Sequence, residues 1–562
     1  MKTIYYCIAC FFMVNMSFSQ FQHSYGTETS DMGRSLTQLK KVEKGYLIAG
    51  YTARSYIGSL EATLVKTDLN GNQIWSRVYG GESHEYFNSV RQSNYFSPNN
   101  PVAYVAAGIT YSYGAGQGDA FLVGVDTNGF PVFSRVFGGE RLDTFHCVQS
   151  IKDENGKPGY IMVGETRSYG NAYPGSNIYV VKTDFQGNLT GATVIGGEGD
   201  QRGLWIEQTR DGGYVISGST TNRRCGGSGA LTNPPTDLFV VKLKPDLNLE
   251  WNRILGYPDE LDPTIGYRNE ATCVKQNKDG DFVLTGYTNS FGINNSQDAF
   301  LLYMSNGGNF LGMKTYGTER GEYGYGIEVT QDASGKQLYT IVGLNNLSST
   351  RKAMLFQTDS GGNLLWARNY GRNGTEIGIE LVSDDFDKGF AFTGFTSSIG
   401  AGGIDKYLVE TTDTGKTGTP CEKEIELKEI KHEPCVTRSV QQIFVDDYRE
   451  IQHPVIKIEF KEDICGTASG FRAGEIKALE KNPKAELFPN PVNNLLTIRT
   501  GEVSRIIEMK IFDMKGKEVV GDNDVSQTGD IVISTESLNP GVYIVKLKSE
   551  NGKSHILKFL KE

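Results

Sequence analysis

A unit of close to sixty residues returns along most of this chain, and a fixed period of that size confines the fold to a propeller, a solenoid or an array. Its clearest copy is EATLVKTDLNGNQIWSRVYGG at residues 61–81. Two alternating runs flank D-L-N-G there, and Asp, Asn and Gly tolerate the backbone of a tight hairpin. Further copies stand at residues 119–139, 177–197, 237–256, 298–317 and 352–371, with a shortened one at 405–415. Each full copy ends on a marker glycine: Gly80, Gly138, Gly196, Gly256, Gly317 and Gly371, preceded by Gly26 at intervals of 54, 58, 58, 60, 61 and 54 residues.

Each unit also holds an earlier strand pair, so four short strands joined by hairpins predict one propeller blade. A large aromatic stands five residues before most marker glycines: Trp75, Phe133, Trp251 and Trp366, with Gly191 and Gly312 as exceptions. Phe21 holds the same offset before Gly26, so residues 21–26 read as a lone fourth strand. The last unit lacks one strand. Pairing the two ends closes the ring and removes two sticky edges, which predicts seven blades rather than an open stack. The repeat resembles the D-A-F-L-V-K-x-D-x-x-G-N-x-x-W propeller repeats common in exported bacterial surface proteins. It lacks the Trp-Asp ending of the WD type and the Asp-box spacing of sialidases.

Composition agrees with a turn-rich all-β protein: 68 glycines, 29 tyrosines and 28 phenylalanines in 562 residues. A net charge of −10 argues against nucleic acid as a partner. No apolar run has the roughly 18 residues needed to span a membrane as a helix. Lys2 followed by an apolar stretch and Ser17-Phe18-Ser19 reads as an export signal cut after Ser19. That removes Cys7 and Cys10. Cys147, Cys225, Cys273, Cys421, Cys435 and Cys465 remain, and spacing cannot choose among their pairings. Cys147 and Cys273 sit on first strands of separate blades and read as buried thiols.

In such a blade the loops from strand two to three and from strand four to the next blade share one face. Glu28, Glu82, Glu140, Glu198, Glu319 and Glu376, with Asp119, Asp237, Asp298 and Asp405, are expected to form an acidic rim there, or to cap backbone N–H groups of the repeated turn. Two long loops, residues 222–236 and 257–269, leave the same side beside one another. Long loops on a rigid scaffold carry function, so Arg223, Arg224, Asp259, Glu260, Asp262, Tyr267 and Arg268 are the candidate ligand residues. The D-x-N-G turns have too few oxygens for calcium. No zinc spacing, nucleophile elbow, P-loop or Cys-x-x-Cys pair occurs, so no cofactor, metal or catalytic residue is expected. A hydrolase or lyase built from dispersed carboxylates would leave no local motif.

Residues 418–485 change character. CEKEIELKEIKHEPC is charge-dense, SVQQIFVDDYREI and HPVIKIEF read as strands, and a flexible stretch follows. This region reads as a cysteine-containing spacer or a small β module. Residues 486–562 alternate strands with turn signals NPVNN, MKGK and NPG, the pattern of a small β-sandwich. Phe488-Pro489-Asn490-Pro491, Phe512-Asp513, Gly516, Leu538, Pro540-Gly541, Tyr543, and Lys558 and Lys561 on the last strand resemble the C-terminal sorting domain of the bacterial type IX secretion system. That resemblance implies an Ig-like sandwich, recognition by the secretion machinery, and release or attachment at the cell surface. The whole reading is all-β: signal peptide 1–19, seven-bladed β-propeller 20–417, spacer or small module 418–485, sorting domain 486–562. A binding role toward glycan or protein is the first functional expectation. A polysaccharide-acting enzyme and a structural surface component are the alternatives.

Overall fold

The computed structural model describes residues 20–40, 43–53, 59–97, 100–153, 155–170, 175–197, 199–221, 236–256, 267–385, 389–432, 435–437, 441–443 and 450–451 of a first unit, and 486–488, 495–499, 506–513, 518–522, 531–549 and 554–561 of a second. The first unit is a seven-bladed β-propeller. The first strands of blades 1 to 7 are Asp31–Leu39, Glu85–Gln92, Asp143–Lys152, Gln201–Gln208, Asn269–Gln276, Glu322–Gln331 and Glu376–Ser383. Each packs beside the first strands of its two neighbours, so these seven surround the axis. Blade 7 takes its fourth strand, Gln22–Tyr25, from the front of the chain. Tyr25 pairs with Lys406 and Gln22 with Val409, antiparallel. Ring closure is therefore as the repeat predicts.

The repeated residues grip the next blade rather than their own. Trp75, Phe133, Trp251, Trp366 and Phe21 lie against Gly129, Gly187, Gly308, Gly415 and Gly71, the turn glycine of the following blade. A Cβ on Gly129 would stand 3.0 Å from the Trp75 ring, and one on Gly415 would stand 2.5 Å from Trp366. These glycines also hold a left-handed backbone, with φ of 79° at Gly129 and 72° at Gly415. The tyrosine before the marker glycine adds a hydrogen bond to the same turn. Tyr25, Tyr79, Tyr316 and Tyr370 donate to the carbonyls of Gly71, Gly129, Gly362 and Gly415 at 2.5–2.7 Å.

The exceptions obey the same rule. Blade 3 has Gly191 where the aromatic should be. The turn it meets carries Leu247 instead of glycine, with φ of 67°. Its Cδ1 lies 3.4 Å from where a Cβ on Gly191 would sit, so the leucine fills the space the aromatic leaves. At Gly312 of blade 5 the void is taken by Tyr303, whose hydroxyl reaches the Gly362 turn.

Marker glycines are explained by a second repeated contact. The third strand opens with Asp119, Asn177, Asp237, Asp298 or Asp405 in blades 2, 3, 4, 5 and 7, and its side chain lies over the marker glycine of that blade. A Cβ on Gly138 would fall 2.1 Å from Asp119 Oδ1 and 2.7 Å from Asp143 Oδ2, the latter on the next first strand. The first-strand acid or amide caps the intervening turn. Asp31, Glu85, Asp143, Gln201 and Glu322 accept from the backbone N–H four residues earlier, at 2.7–3.0 Å.

The expected acidic rim is corrected accordingly. Asp119, Asp237, Asp298, Asp405 and Glu376 are buried at blade junctions, not exposed. Glu376 pairs there with Lys352 at 2.5 Å. Glu28, Glu82, Glu140 and Glu319 are exposed, and Glu198 lies outside the described residues. The turns are capped by the residues just named, not by these glutamates. Burial pushes Asp119 up to about 7, with the nearby Asp143 adding to it against the Gly116 amide. Burial likewise pushes Glu322 to about 7 beside Asp298, itself at about 6.

After blade 7 the chain encircles the ring in reverse. Glu422–Glu424 adds a fifth strand to blade 6, Lys428–His432 to blade 5, Cys435–Thr437 to blade 4, Gln441–Ile443 to blade 3 and Glu450–Ile451 to blade 2. All five run antiparallel to the fourth strand they cover. Cys147 and Cys273 are buried free thiols, and Cys421 is free and half-buried.

The second unit, residues 470–562 by compactness, has two antiparallel sheets. Glu486–Phe488, Leu495–Arg499 and Ile531–Ser534 form one, and Ile506–Asp513, Glu518–Asp522, Gly541–Ser549 and Ser554–Lys561 the other. Leu496, Ile498, Ile511, Val545 and Leu547 belong to their shared core.

Two predictions follow from the junctions. Gly138→Ala should cost about 1–3 kcal/mol in urea unfolding, because the added methyl meets Asp119 Oδ1. Folding raises the Asp119 pKa, so the stability this carboxyl contributes is complete below about pH 4 and is lost as pH rises to about 7. Asp119→Asn should therefore raise the melting temperature by at least roughly 2 °C at pH 8, and by almost nothing near pH 4. Blade 3, which already has Asn177 at this position, shows that the amide fits.

Candidate functional site

A cavity of about 360 Å³ opens between blades 3, 4 and 5 at the end where the long loops leave. It is lined by Glu165, Arg167, Ser176, Asp200, Arg202, Ser219, Thr221, Thr236 and Glu270. Strand ends place them. Glu165 is the last residue but one of the second strand of blade 3 (Pro158–Thr166), Arg202 is the second residue of the blade 4 first strand, and Glu270 is its counterpart in blade 5. The equivalent position is Met32 in blade 1 and Ile377 in blade 7. The polar cluster is thus local to one side of the ring.

Arg202 is the centre of the site. Its guanidinium lies 3.5 Å from Glu165 and 3.5 Å from Glu270, with the side chain 39% exposed. Glu165 is also 3.7 Å from His146 Nε2. Burial acts to raise the Glu165 carboxyl, but His146 and Arg202 outweigh it and hold it at about 2. Asp200 is fixed by its neighbours: its Oδ1 accepts from the Ser176 N–H at 2.9 Å, and its own N–H donates to Thr221 Oγ1 at 2.7 Å.

Tyrosines flank the polar patch. Tyr287 sits beside Glu270, and burial followed by that carboxylate pushes its hydroxyl well above the ordinary range. Tyr287 and Tyr323 have ring centroids 4.8 Å apart, and Tyr325 stacks at 6.1 Å from Tyr323. A second aromatic group, Tyr51, Tyr86, Tyr111 and His84, occupies the same end of blades 1 and 2, with Arg34 5.5 Å over the Tyr51 ring.

Below these residues the axis is filled. Trp205 of blade 4 packs against the cores of blades 3–4, 4–5 and 5–6. Arg91 from blade 2 lies 5.0 Å over its ring and Lys275 from blade 5 lies 5.3 Å from it. Each cation is neutralised in place. Arg91 pairs with Glu380 of blade 7 at 2.8 Å, and Lys275 with Glu207 and Glu328 at 3.5 Å each. Trp205→Ala should cost about 3 kcal/mol in denaturant unfolding, because it opens a void between the half-buried Arg91 and Lys275 side chains.

Of the ligand residues expected from sequence, Arg223, Arg224, Asp259, Glu260 and Asp262 lie outside the described residues. Tyr267 is buried at 3%, and Arg268 is exposed. The roots of their two loops do meet. Thr236 donates its N–H to the Tyr267 carbonyl at 3.0 Å, and its hydroxyl bonds Asn269 O at 3.1 Å. Thr221 and Thr236, the residues flanking the first loop, both line the cavity. Sequence reasoning did not single out Glu165, Arg202 and Glu270, which line this cavity. The available signal was an Arg and two Glu breaking the apolar or small pattern near the tops of first and second strands.

In the second unit Phe488 lies on the first strand, Gly541 and Tyr543 on the third strand of the larger sheet, and Lys558 and Lys561 on the last strand. The Tyr543 hydroxyl donates to Asn539 O at 2.8 Å. Pro489, Asn490 and Pro491 lie outside the described residues, as do residues 1–19 and the cleavage position expected after Ser19. Residues 486–562 match the family of secretion system C-terminal sorting domains. No curated protein matches the chain. Among solved structures, Sqt1 from Chaetomium thermophilum is similar at 9% identity, with 73% of this chain and 88% of that one covered and a TM-score of 0.38. Kuenenia stuttgartiensis hydrazine synthase gives 12%, 50%, 78% and 0.30 for the same measures. A putative exo-beta-1,3-galactanase from Bifidobacterium bifidum gives 14%, 53%, 95% and 0.26.

Proposed function

We propose that this seven-bladed propeller, delivered to the cell surface or beyond it by its type IX sorting domain, is a binding module whose ligand is a glycan held in the cavity of blades 3 to 5. The observation that carries this reading is Arg202, partly exposed between Glu165 and Glu270. Fixed carboxylates and a guanidinium side by side match the paired donors and acceptors of sugar hydroxyls, and tyrosine faces match the apolar faces of sugar rings. Arg223, Arg224, Asp259, Glu260 and Asp262, on the two long loops of the sequence, are proposed as further ligand residues. Arg268 adds a cation at the second root, and Tyr267 supports it from within. The sorting domain's partner is the secretion machinery, with Phe488, Pro489, Asn490, Pro491, Gly541, Tyr543, Lys558 and Lys561 as its recognition residues.

The hydrolytic alternative draws on the three carboxylates Glu165, Asp200 and Glu270 in one cavity. Glycoside cleavage needs one carboxyl that keeps its proton near neutral pH. Glu165 is held at about 2, the wrong direction for that acid. The carboxyls with raised values, Asp119, Asp143, Asp298, Glu322, Glu328 and Asp405, do not line the cavity.

The test is a glycan array with the purified exported protein, followed by titration calorimetry on any hit and chromatography of the incubated sugar. Binding without new reducing ends is expected. Arg202→Ala should weaken affinity at least about tenfold, the worth of a charge-assisted hydrogen bond. Shortened products, or affinity indifferent to Arg202, would overturn the assignment.

A further inference from the structure

The loop end of blades 1 and 2 carries a cluster that the cavity of blades 3 to 5 does not include. In every blade the second residue of the first strand pairs across the ladder with a residue of the second strand. In blade 4 that pair is Arg202 with Ser219, in blade 1 it is Met32 with Tyr51, and in blade 2 it is Tyr86 with Ile109. One backbone position is therefore polar on one side of the ring and aromatic or apolar on another.

Tyr51 and Tyr86 meet edge to face, with ring centroids 5.2 Å apart at 89°. Tyr111, the residue after the second strand of blade 2, stands 6.4 Å from Tyr86 and is 40% exposed. Tyr51, Tyr86 and His84 are half-buried, so the cluster reaches solvent. His84 Nδ1 accepts from the Leu60 N–H at 3.0 Å, which leaves Nε2 as the donor of the neutral ring. Burial, then Tyr111 and Tyr51, push the Tyr86 hydroxyl above the ordinary range, and Arg34 acts in the other direction. Three phenol hydroxyls and one guanidinium thus act on one another.

Arg34 is the odd charge of this cluster. It is the extra residue of a β-bulge between Gly33 and Ser35, and Asn88 holds the same place in blade 2, between Phe87 and Ser89. A bulge re-aims its side chain. Arg34 Nη1 donates to Asn88 Oδ1 at 3.3 Å across the junction, and the guanidinium carbon lies 5.5 Å from the centre of the Tyr51 ring. Among the described residues no carboxylate pairs with it, and its buried Nε has no hydrogen-bond partner. Arg91 and Arg202 are each paired with carboxylates. Glu85, beside Tyr86 in sequence, is buried in the junction. It accepts there from the Gly81 N–H, the Thr110 hydroxyl and the Ser112 N–H at 3.0–3.1 Å. A half-buried cation without a counter-charge, next to tyrosine rings, suits an anion attached to a flat apolar face.

We propose that Arg34, Tyr51, Tyr86 and Tyr111 form a second binding site, separate from the Arg202 cavity, which takes a uronic acid residue of an acidic glycan. The guanidinium pairs with the sugar carboxylate, and a tyrosine face covers the C–H face of the pyranose ring. The phenol hydroxyls and His84 Nε2 serve its hydroxyl groups. An acidic peptide supplies the charge but not the ring of hydroxyls that these donors match, and it is the competing ligand. The site shares no residue with the cavity, so the two stand or fall separately.

Titration calorimetry on the purified exported protein tests it with tetrasaccharides of galacturonate, glucuronate and mannuronate, each beside its methyl ester, and with tetraglutamate. At least one uronate should bind with a Kd below about 1 mM, and its uncharged ester at least about tenfold more weakly. Arg34→Met should also weaken the uronate at least about tenfold. Arg34→Lys should weaken it less, because the ammonium keeps the charge and lacks the fork. Tyr111→Ala changes an exposed residue, keeps the test open should Arg34→Met not fold, and should lose at least about fivefold. Failure of all three uronates to bind would overturn the proposal. So would an ester that binds as well as its acid, or an affinity indifferent to both Arg34→Met and Tyr111→Ala. Tetraglutamate bound more tightly than every uronate would give the site to a protein partner, and would equally overturn it.

Discussion

Each blade of this ring is fastened to the next through the backbone of a single turn. At five of the seven junctions an aromatic ring lies on the turn glycine, and at four a tyrosine hydroxyl donates to that glycine's carbonyl. The contact needs a residue without a side chain, in left-handed conformation, presented to a large ring on the neighbour. It therefore couples two features that are close to sixty residues apart in sequence. Where one partner changes, the other changes with it. Gly191 faces Leu247, so the volume at the joint is kept although donor and recipient have exchanged sizes.

The second layer of fastening is polar and lies at the loop end of the ring. Carboxyl or amide side chains lie over the marker glycines, and those of the first strands cap the turns that cross the junctions. The junctions differ in how they handle charge. Asn177 with Gln201 carries none, Lys352 with Glu376 cancels, and Asp119 with Asp143 or Asp298 with Glu322 keep a proton to higher pH. One geometric slot thus accepts several charge solutions because its shape, not its charge, is what the repeat preserves. The axis shows the opposite strategy. There the repeat is abandoned, and Arg91, Trp205, Lys275 and their carboxylates form a single asymmetric plug.

Architecture was readable from the order of the residues because the period, the turn chemistry and Phe21 are all local signals repeated many times. The purpose of those residues was not. Trp75 and Gly71 look like parts of one hairpin, yet Trp75 serves Gly129 and Gly71 serves Phe21. Asp119 and Glu376 look like a solvent-facing rim because they are charged and lie beside loops. Burial followed only from the neighbouring blade, which a linear reading does not supply. The site residues Glu165, Arg202 and Glu270 come from three blades and share no motif, so only the ring brings them together. The stretch that follows blade 7 was legible as a charge-dense region with strand-like runs, but nothing in it names the edges on which it lies.

The ring's closing pair joins Gln22 to Tyr407 across 385 positions of sequence. A chain cut short before blade 7 would leave the strand Gln22–Tyr25 without the sheet it belongs to, so the integrity of the circle depends on its two most distant segments together.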